Sequence, residues 1–217
     1  MLKGVTIEQF EPMAKSYLSA FYKKYLSPGD VVYDIGAFRG VLTTLFAKDG
    51  YKVEAFEGSP RNFPYLIENT EEYKLVRCHP YAVHEINLTT TTRFNDCLGA
   101  EHPEQEITYV ILDEFIEDQV YNRPDLIKID IEGMESIALK GAMHIILNDR
   151  PIFQLSLHEN HGYRYENFPS WVPKERGGFD FSTFKALDYL LFDTNLNPVE
   201  ELTGFNEFLV IPEEKIL

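Results

Sequence analysis

Two acidic segments stand out, each at the end of a short apolar run. The first is Asp34-Ile35-Gly36-Ala37-Phe38-Arg39-Gly40, which follows Val31, Val32 and Tyr33. Gly36 permits a tight turn and Gly40 close packing of a following helix on the strand. The glycines that are missing matter as much. A dinucleotide loop needs Gly-x-Gly-x-x-Gly, so that backbone can approach a pyrophosphate. Counted from Gly36, the other two positions are Phe38 and Val41, and Asp34 would set a carboxylate beside the phosphates. The pattern therefore disfavours a nicotinamide dinucleotide. It suits a ligand with cationic groups and no phosphate. S-adenosylmethionine is one, with an ammonium and a sulfonium. Asp34 is expected to meet the ammonium, directly or through water. The backbone amides of Gly36, Ala37 and Phe38 are expected to hold the carboxylate. The next apolar run ends in Glu57-Gly58; a carboxylate there can accept hydrogen bonds from both ribose hydroxyls, as in dinucleotide sites.

The second segment is Leu126-Ile127-Lys128-Ile129-Asp130-Ile131-Glu132-Gly133-Met134-Glu135. If it is extended through residue 132, Lys128, Asp130 and Glu132 share one side and the three isoleucines the other. Charges on one side of a central strand are costly when buried unpaired. They must serve one another or a site. A third candidate, His158, closes the run Pro151-Ile152-Phe153-Gln154-Leu155-Ser156-Leu157-His158. Methyl transfer from a sulfonium is an in-line displacement that gains from positioning and desolvation. A hydroxyl acceptor gains further from a base near the forming bond. His158, Asp130 and Glu132 are the candidates, and imidazole has a suitable unperturbed pKa. His158 and His161 with the two acids could also gather a divalent metal, but four residues after a strand end need not converge, and no metal ligand is assigned. His79, His84, His102 and His144 read as structural or exposed.

These residues must be positioned by a frame. Spacing of apolar residues predicts a helix over 6–26, a strand at 31–36, a helix at 39–49, a strand at 51–56, a helix at 60–70 and a strand at 73–78. The segment 81–95 is ambiguous, with the threonines at 89–92 favouring extended structure. A helical turn within 109–117, a strand at 126–131, a helix at 134–148 and a strand at 151–158 follow. A helix at 182–192 and strands at 198–202 and 207–212, joined by the turn Thr203-Gly204-Phe205-Asn206, complete the chain. Strands alternating with helices imply βαβ units. The expected architecture is α/β: a mostly parallel seven-stranded sheet, helices on both faces, and an antiparallel strand at the C-terminal end. The 217 residues read as one domain, with residues 1–28 as a helical extension that covers the sheet or mediates a homodimer. Segment 159–181 is long for a connection and rich in Tyr163, Tyr165, Phe168, Trp171, Phe179 and Phe181. It is expected to cap the acceptor site, where aromatic faces stack on sugar rings or flat molecules.

With 35 acidic against 20 basic residues and a net charge of −15, the chain is a poor nucleic-acid binder. A neutral or cationic small molecule fits its field better. Cys78 and Cys97 make no disulfide framework. The absence of an apolar leader or span predicts a cytoplasmic protein without membrane contact.

The phrase DLIKIDIEGMES resembles the signature of FkbM-type methyltransferases. The order of segments is similar too: VVYDIGAFRG, AFEGSP, YAV, LDEFI, then LIKIDIEGME, over roughly residues 30–160. The resemblance implies a class I, Rossmann-like S-adenosylmethionine enzyme, often one that methylates hydroxyls of sugars or natural products. It implies that Asp34, Gly36, Gly40 and Glu57 contact cofactor, with Ala37, Phe38 and Gly58 in the same loops. It further implies that Ala82 lines the adenine pocket and that Asp130 and Glu132 face the methyl group and the acceptor. One departure is visible: the family strand commonly ends Glu-x-His, where this chain has Ser156-Leu157-His158. The leading expectation is O-methylation of a small acceptor such as a sugar or glycan. The alternatives are a non-catalytic module that binds S-adenosylmethionine or S-adenosylhomocysteine (SAH), and a metal-assisted O-methyltransferase.

Overall fold

The computed structural model describes residues 2–6, 10, 22–92, 104–118, 123–158 and 179–216. The β-branched runs read above form the centre of the sheet: β1 (Val31–Ile35), β2 (Lys52–Phe56), β3 (Val76–His79) and β7 (Leu126–Ile129). Between them lie α1 (Val41–Lys48) and α2 (Phe63–Thr70). After β7 come α4 (Glu135–Lys140), a π-helical turn at Ile145–Asp149, β8 (Ile152–His158), α5 (Ser182–Ala186), β9 (Tyr189–Asp193) and β10 (Phe205–Pro212).

The seven strands run in the order β3-β2-β1-β7-β8-β10-β9. All pairs from β3 to β8 are parallel, and β10 is antiparallel to both neighbours. The expected seven-stranded sheet with its antiparallel C-terminal strand is thus present. From β1 the chain winds outward to β3, then returns to place β7 on the other side of β1. That reversal opens a crevice at the carboxyl ends of β1 and β7, the place where ligands bind in open α/β sheets. Both acidic segments end there. Alternation along β1 and β7 divides the core: Val31, Tyr33, Ile35, Ile127 and Ile129 pack on one face with Phe153 and Leu155. Val32 and Leu126 pack on the other with Leu42 and Phe46 of α1.

Three local expectations are corrected and one unmarked strand is added. The helix expected over 182–192 stops at Ala186; Tyr189 and Leu191 point into the core while Leu190 is exposed, a period of two that belongs to a strand. The strand expected at 198–202 is only an isolated bridge between Phe192 and Pro198. The turn lies earlier than Thr203 because Asp193 accepts hydrogen bonds from the N–H groups of Asn195 and Asn197 and closes the chain there. The helical turn expected within 109–117 follows a strand that periodicity did not mark. Here β6 (Gln105–Ile111) joins β4 (Ala82–His84) and β5 (Leu88–Thr92) in a second, three-stranded sheet, and α3 (Leu112–Asp118) comes after it. The threonines at 89–92 are extended, as read. Of the helix expected over 6–26, the described part is Phe10, whose N–H donates to Thr6 O, and one turn at Tyr22–Tyr25. The rest, with His102, Cys97, His161 and most of segment 159–181, lies outside the described residues.

Candidate active site

The strand β1 delivers Asp34 to its last turn, and the register of the parallel pair sets Asp34 beside Lys128 of β7. The two charges share the face that α1 covers. Lys128 Nζ lies 3.2 Å from Asp34 Oδ1 and donates to Gly36 O at 3.0 Å. Thr43 of α1 donates its hydroxyl to Asp34 Oδ2 at 2.6 Å. Burial opposes the Lys128 ammonium, yet the charges of Asp34 and Asp130 outweigh it and hold the group above its ordinary pKa. Asp34 is wholly buried. Through these contacts it fixes Lys128 and the start of α1.

After β1 the backbone makes a left-handed turn at Gly36, Phe38 and Gly40. A β-carbon on Gly36 would lie 1.9 Å from Asp130 O, so this position joins the two acidic segments at backbone contact. The N–H groups of Gly36 and Ala37 donate to Phe56 O, that of Phe38 to Glu57 Oε2 at 2.7 Å, and that of Gly40 to Ala37 O. These amides are spent inside the loop. The turn is thereby held in a fixed shape. Glu57 accepts a second bond from Ser59 N–H at 2.8 Å. Each of its oxygens keeps one lone-pair direction. Burial pushes Glu57 up to about 7, against the pull of those amides. Gly58 lies so close to Ala82 that a β-carbon there would approach Ala82 Cβ to 2.7 Å. Ala82, expected to line an adenine pocket, thus packs directly against the Glu57-Gly58 turn.

On the other side of the crevice the strand β7 ends at Ile129, earlier than residue 132. The chain turns through Glu132 and Gly133, both with positive φ. Simple alternation does not bring Glu132 beside Asp130; this left-handed turn does. His158, at the end of the adjacent β8, points its Nε2 between them, 3.7 Å from Asp130 Oδ1 and 3.7 Å from Glu132 Oε2. Its Nδ1–H donates to Glu135 Oε1 at 2.9 Å. That oxygen also accepts the N–H groups of Ile131 and Gly133. Asp130 and Glu132 keep about 30% and 28% of their side-chain surface, while Glu135 and His158 are buried. Burial works against the His158 imidazolium, but the hydrogen bond to Glu135 and the charges of Glu135, Asp130 and Glu132 raise it to about 9. Burial likewise raises Glu132, partly offset by His158.

Glu135 is the residue that sequence reading missed. Its position in an IEGME string gave no sign that α4 would return it to His158. Ser156 carries no carboxylate, and the acid against His158 comes from α4. Among the other histidines, His79 is buried and structural, with Nε2 bonded to Glu54 Oε2 at 2.8 Å. Of the expected cap, Phe179 is buried against Phe184 at 5.0 Å between ring centroids, so it anchors to the core.

The donor set can be tested against the expected cofactor. Asp34, Glu57, Asp130, Glu132 and Glu135 surround the crevice with two cations, Lys128 and His158, among them. A phosphate ester would be repelled; a cationic nucleoside ligand would be attracted. Glu57, Gly58 and Ala82 suit its nucleoside end. The residues fit S-adenosylmethionine.

The strand order, the reversal between β1 and β7 and the acid-lined crevice define a class I, Rossmann-like methyltransferase fold. The family model described as "Methyltransferase FkbM domain" matches residues 34–193. The chain belongs to this family of S-adenosylmethionine-dependent methyltransferases. Among solved structures it is similar to the methyltransferase FkbM from Methylobacillus flagellatus KT, with 19% identity and a TM-score of 0.57, over 89% of this chain and 47% of that one. The chain thus spans about half the length of that protein. It is similar in fold to the O-methyltransferase from Bacillus cereus in complex with SAH, with 14% identity and a TM-score of 0.51, over 96% of this chain and 83% of that one. No curated protein sequence matches the chain. Among the described residues, no helix is long and apolar enough to cross a membrane.

Proposed function

We propose that this chain transfers the methyl group of S-adenosylmethionine to a hydroxyl of a small acceptor such as a sugar or glycan. The observation that carries the reading is the placement of two partly exposed carboxylates, Asp130 and Glu132, at the carboxyl end of β7, one backbone contact from the Gly36 turn. S-adenosylmethionine supplies an activated methyl group on a sulfonium when bound. Glu57, Gly58 and Ala82 hold its nucleoside end, and Asp34, Gly36, Ala37, Phe38 and Gly40 form the floor. His158 carries positive charge at neutral pH, so it orients the two acids and does not take a proton. The acceptor hydroxyl gives its proton to Asp130 or Glu132 as the carbon–oxygen bond forms. The net charge of −15 and the acidic crevice favour an uncharged or cationic acceptor over nucleic acid.

Methyl-labelled S-adenosylmethionine offered with a panel of sugars, glycans, small phenols and small amines tests this directly. Label recovered in a methyl ether is the expected result; label recovered only on nitrogen overturns the O-methyl assignment. Asp130→Asn is expected to retain SAH affinity within about 3-fold and to lose roughly 100-fold or more in turnover, the scale of a removed proton acceptor. Full turnover in that variant would remove Asp130 from the chemistry.

Glu57 gives a pH prediction. A raised carboxyl pKa means that below about 7 much of the protein holds Glu57 protonated, whereas ribose hydroxyls donate to the ionised form. Cofactor affinity therefore rises with pH through this range. SAH titrated calorimetrically is expected to bind about 10-fold more weakly at pH 6 than at pH 8, one pKa unit of protonation corresponding to a factor of ten. Glu57→Gln is expected to bind weakly at both pH values, with no slope between them.

A further inference from the structure

We propose that Asp130, Glu132 and His158 form a divalent-cation site in which the ion holds the acceptor's oxygen. One ligand atom from each residue, the two carboxylate oxygens and the His158 nitrogen, lies within 4.8 Å of the others. That spacing is a little wider than a coordination shell and closes with small side-chain rotations, because carboxylate–metal and imidazole–metal bonds are about 2.0–2.2 Å.

The orientation of His158 separates this group from an ordinary acidic cluster. A metal-binding histidine almost always donates its other ring N–H to a carboxylate or carbonyl, which fixes the tautomer and aims the remaining nitrogen. Here Nδ1–H donates to Glu135 Oε1 at 2.9 Å, and Nε2 is aimed at the two acids, 3.7 Å from each; the ion takes the place of the proton that Nε2 carries in the metal-free protein and releases it to solvent. Glu135 in turn is fixed by the Ile131 and Gly133 amides, from the same turn that carries Glu132. The outer carboxylate, the imidazole and the two inner carboxylates thus form one connected unit across β7, α4 and β8. Two oxygens and one nitrogen suit a borderline ion such as Mn²⁺ better than a soft thiophilic one. Three protein ligands leave positions for oxygens of an acceptor.

The role of the ion rests on the methyltransferase reading; its binding does not. A bound cation would polarise a coordinated hydroxyl and ease loss of its proton to solvent or to a free carboxylate oxygen. It favours acceptors with two adjacent oxygens, such as a vicinal diol or a catechol, which can chelate. The ion adds no group to the product and needs no redox partner.

Mn²⁺ alone is the probe, followed by calorimetry and by its electron-spin resonance. The expected result is one Mn²⁺ per chain with magnetic coupling to a single imidazole nitrogen. Asp130→Asn and Glu132→Gln are expected to weaken binding at least 10-fold. His158→Gln is expected to remove the nitrogen coupling, and Glu135→Gln to weaken binding about 10-fold or more, the usual scale for outer-sphere partners. SAH titration of each variant checks that it is folded. No Mn²⁺ binding in a protein that binds SAH overturns the metal site and leaves the methyltransferase reading standing. Binding that all four variants leave unchanged places the ion elsewhere and also overturns it. Mn²⁺ bound as expected in a chain that binds neither SAH nor S-adenosylmethionine overturns the methyltransferase reading alone.

Discussion

Gly36→Ala is expected to lower the melting temperature by roughly 5–15 °C and to weaken SAH binding at least 10-fold. Two costs combine. The residue has φ +78, a conformation that costs an L-residue about 1–2 kcal/mol. The added carbon would also lie 1.9 Å from Asp130 O, and overpacking of this kind adds about 1–3 kcal/mol. In a chain of this length each kcal/mol moves the melting point by about 2–4 °C. The contact is with backbone, so no side chain can rotate away. Relief must come from moving β7's end, which carries the Asp130 carboxylate with it. Gly29→Ala is the matched control. That residue also has positive φ, at +99, but nothing lies within 4 Å of its added carbon. It is expected to lose only the conformational cost, a few degrees, with SAH affinity unchanged. Equal losses in the two variants would show that conformation alone matters and that Gly36 does not join the two acidic segments.

The central strands were legible because local pattern and tertiary role agree there. Val31, Val32 and Ile127 are β-branched, buried and followed by turn residues, so the same letters announce the strand and its end. Asp34, Glu57 and Asp130 were legible as strand-end acids for that reason. Their partners were not. The pairing of Asp34 with Lys128 is set by the register of β1 on β7 across more than ninety residues of chain. Within the segment itself the nearest acid on the same side is Asp130, which lies farther away, at 3.8 Å. Glu135 illustrates the same limit. Its helix is short, and only the packing of α4 over β8 brings it to His158. The C-terminal error has a different cause. Phe184, Leu187 and Leu191 fall at helical spacing, so the helix expected over 182–192 was a reasonable period. Tyr189 and Leu191 also fit a strand, and β10 was there to pair with them. Short apolar runs carry both periods, and the neighbouring strand decides.

Lys128→Met is expected to cost about 3–5 kcal/mol, the range for removing one partner of a buried ion pair. The ammonium is 3% exposed and Asp34 is wholly buried. Methionine preserves the stem's packing but leaves Asp34, among the described residues, with Thr43 as its remaining side-chain hydrogen-bond donor. The uncompensated charge then dominates the loss. Asp34→Asn in the same chain removes that charge and keeps an acceptor for the Thr43 hydroxyl. The double variant is therefore expected to recover most of the stability, within about 1–2 kcal/mol of the parent, because an ion pair replaced as a unit is often near neutral. Chemical denaturation of the parent, both single variants and the double variant closes the cycle and gives the coupling directly. SAH affinity separates structure from function in the same four proteins. Lys128 also donates to Gly36 O at 3.0 Å, a bond that no substitution at Asp34 restores. Recovered stability with SAH still bound several-fold more weakly is the expected outcome, and it assigns the Lys128–Gly36 bond to the shape of the cofactor floor. Recovery of both would reduce Lys128 to a counter-ion for Asp34.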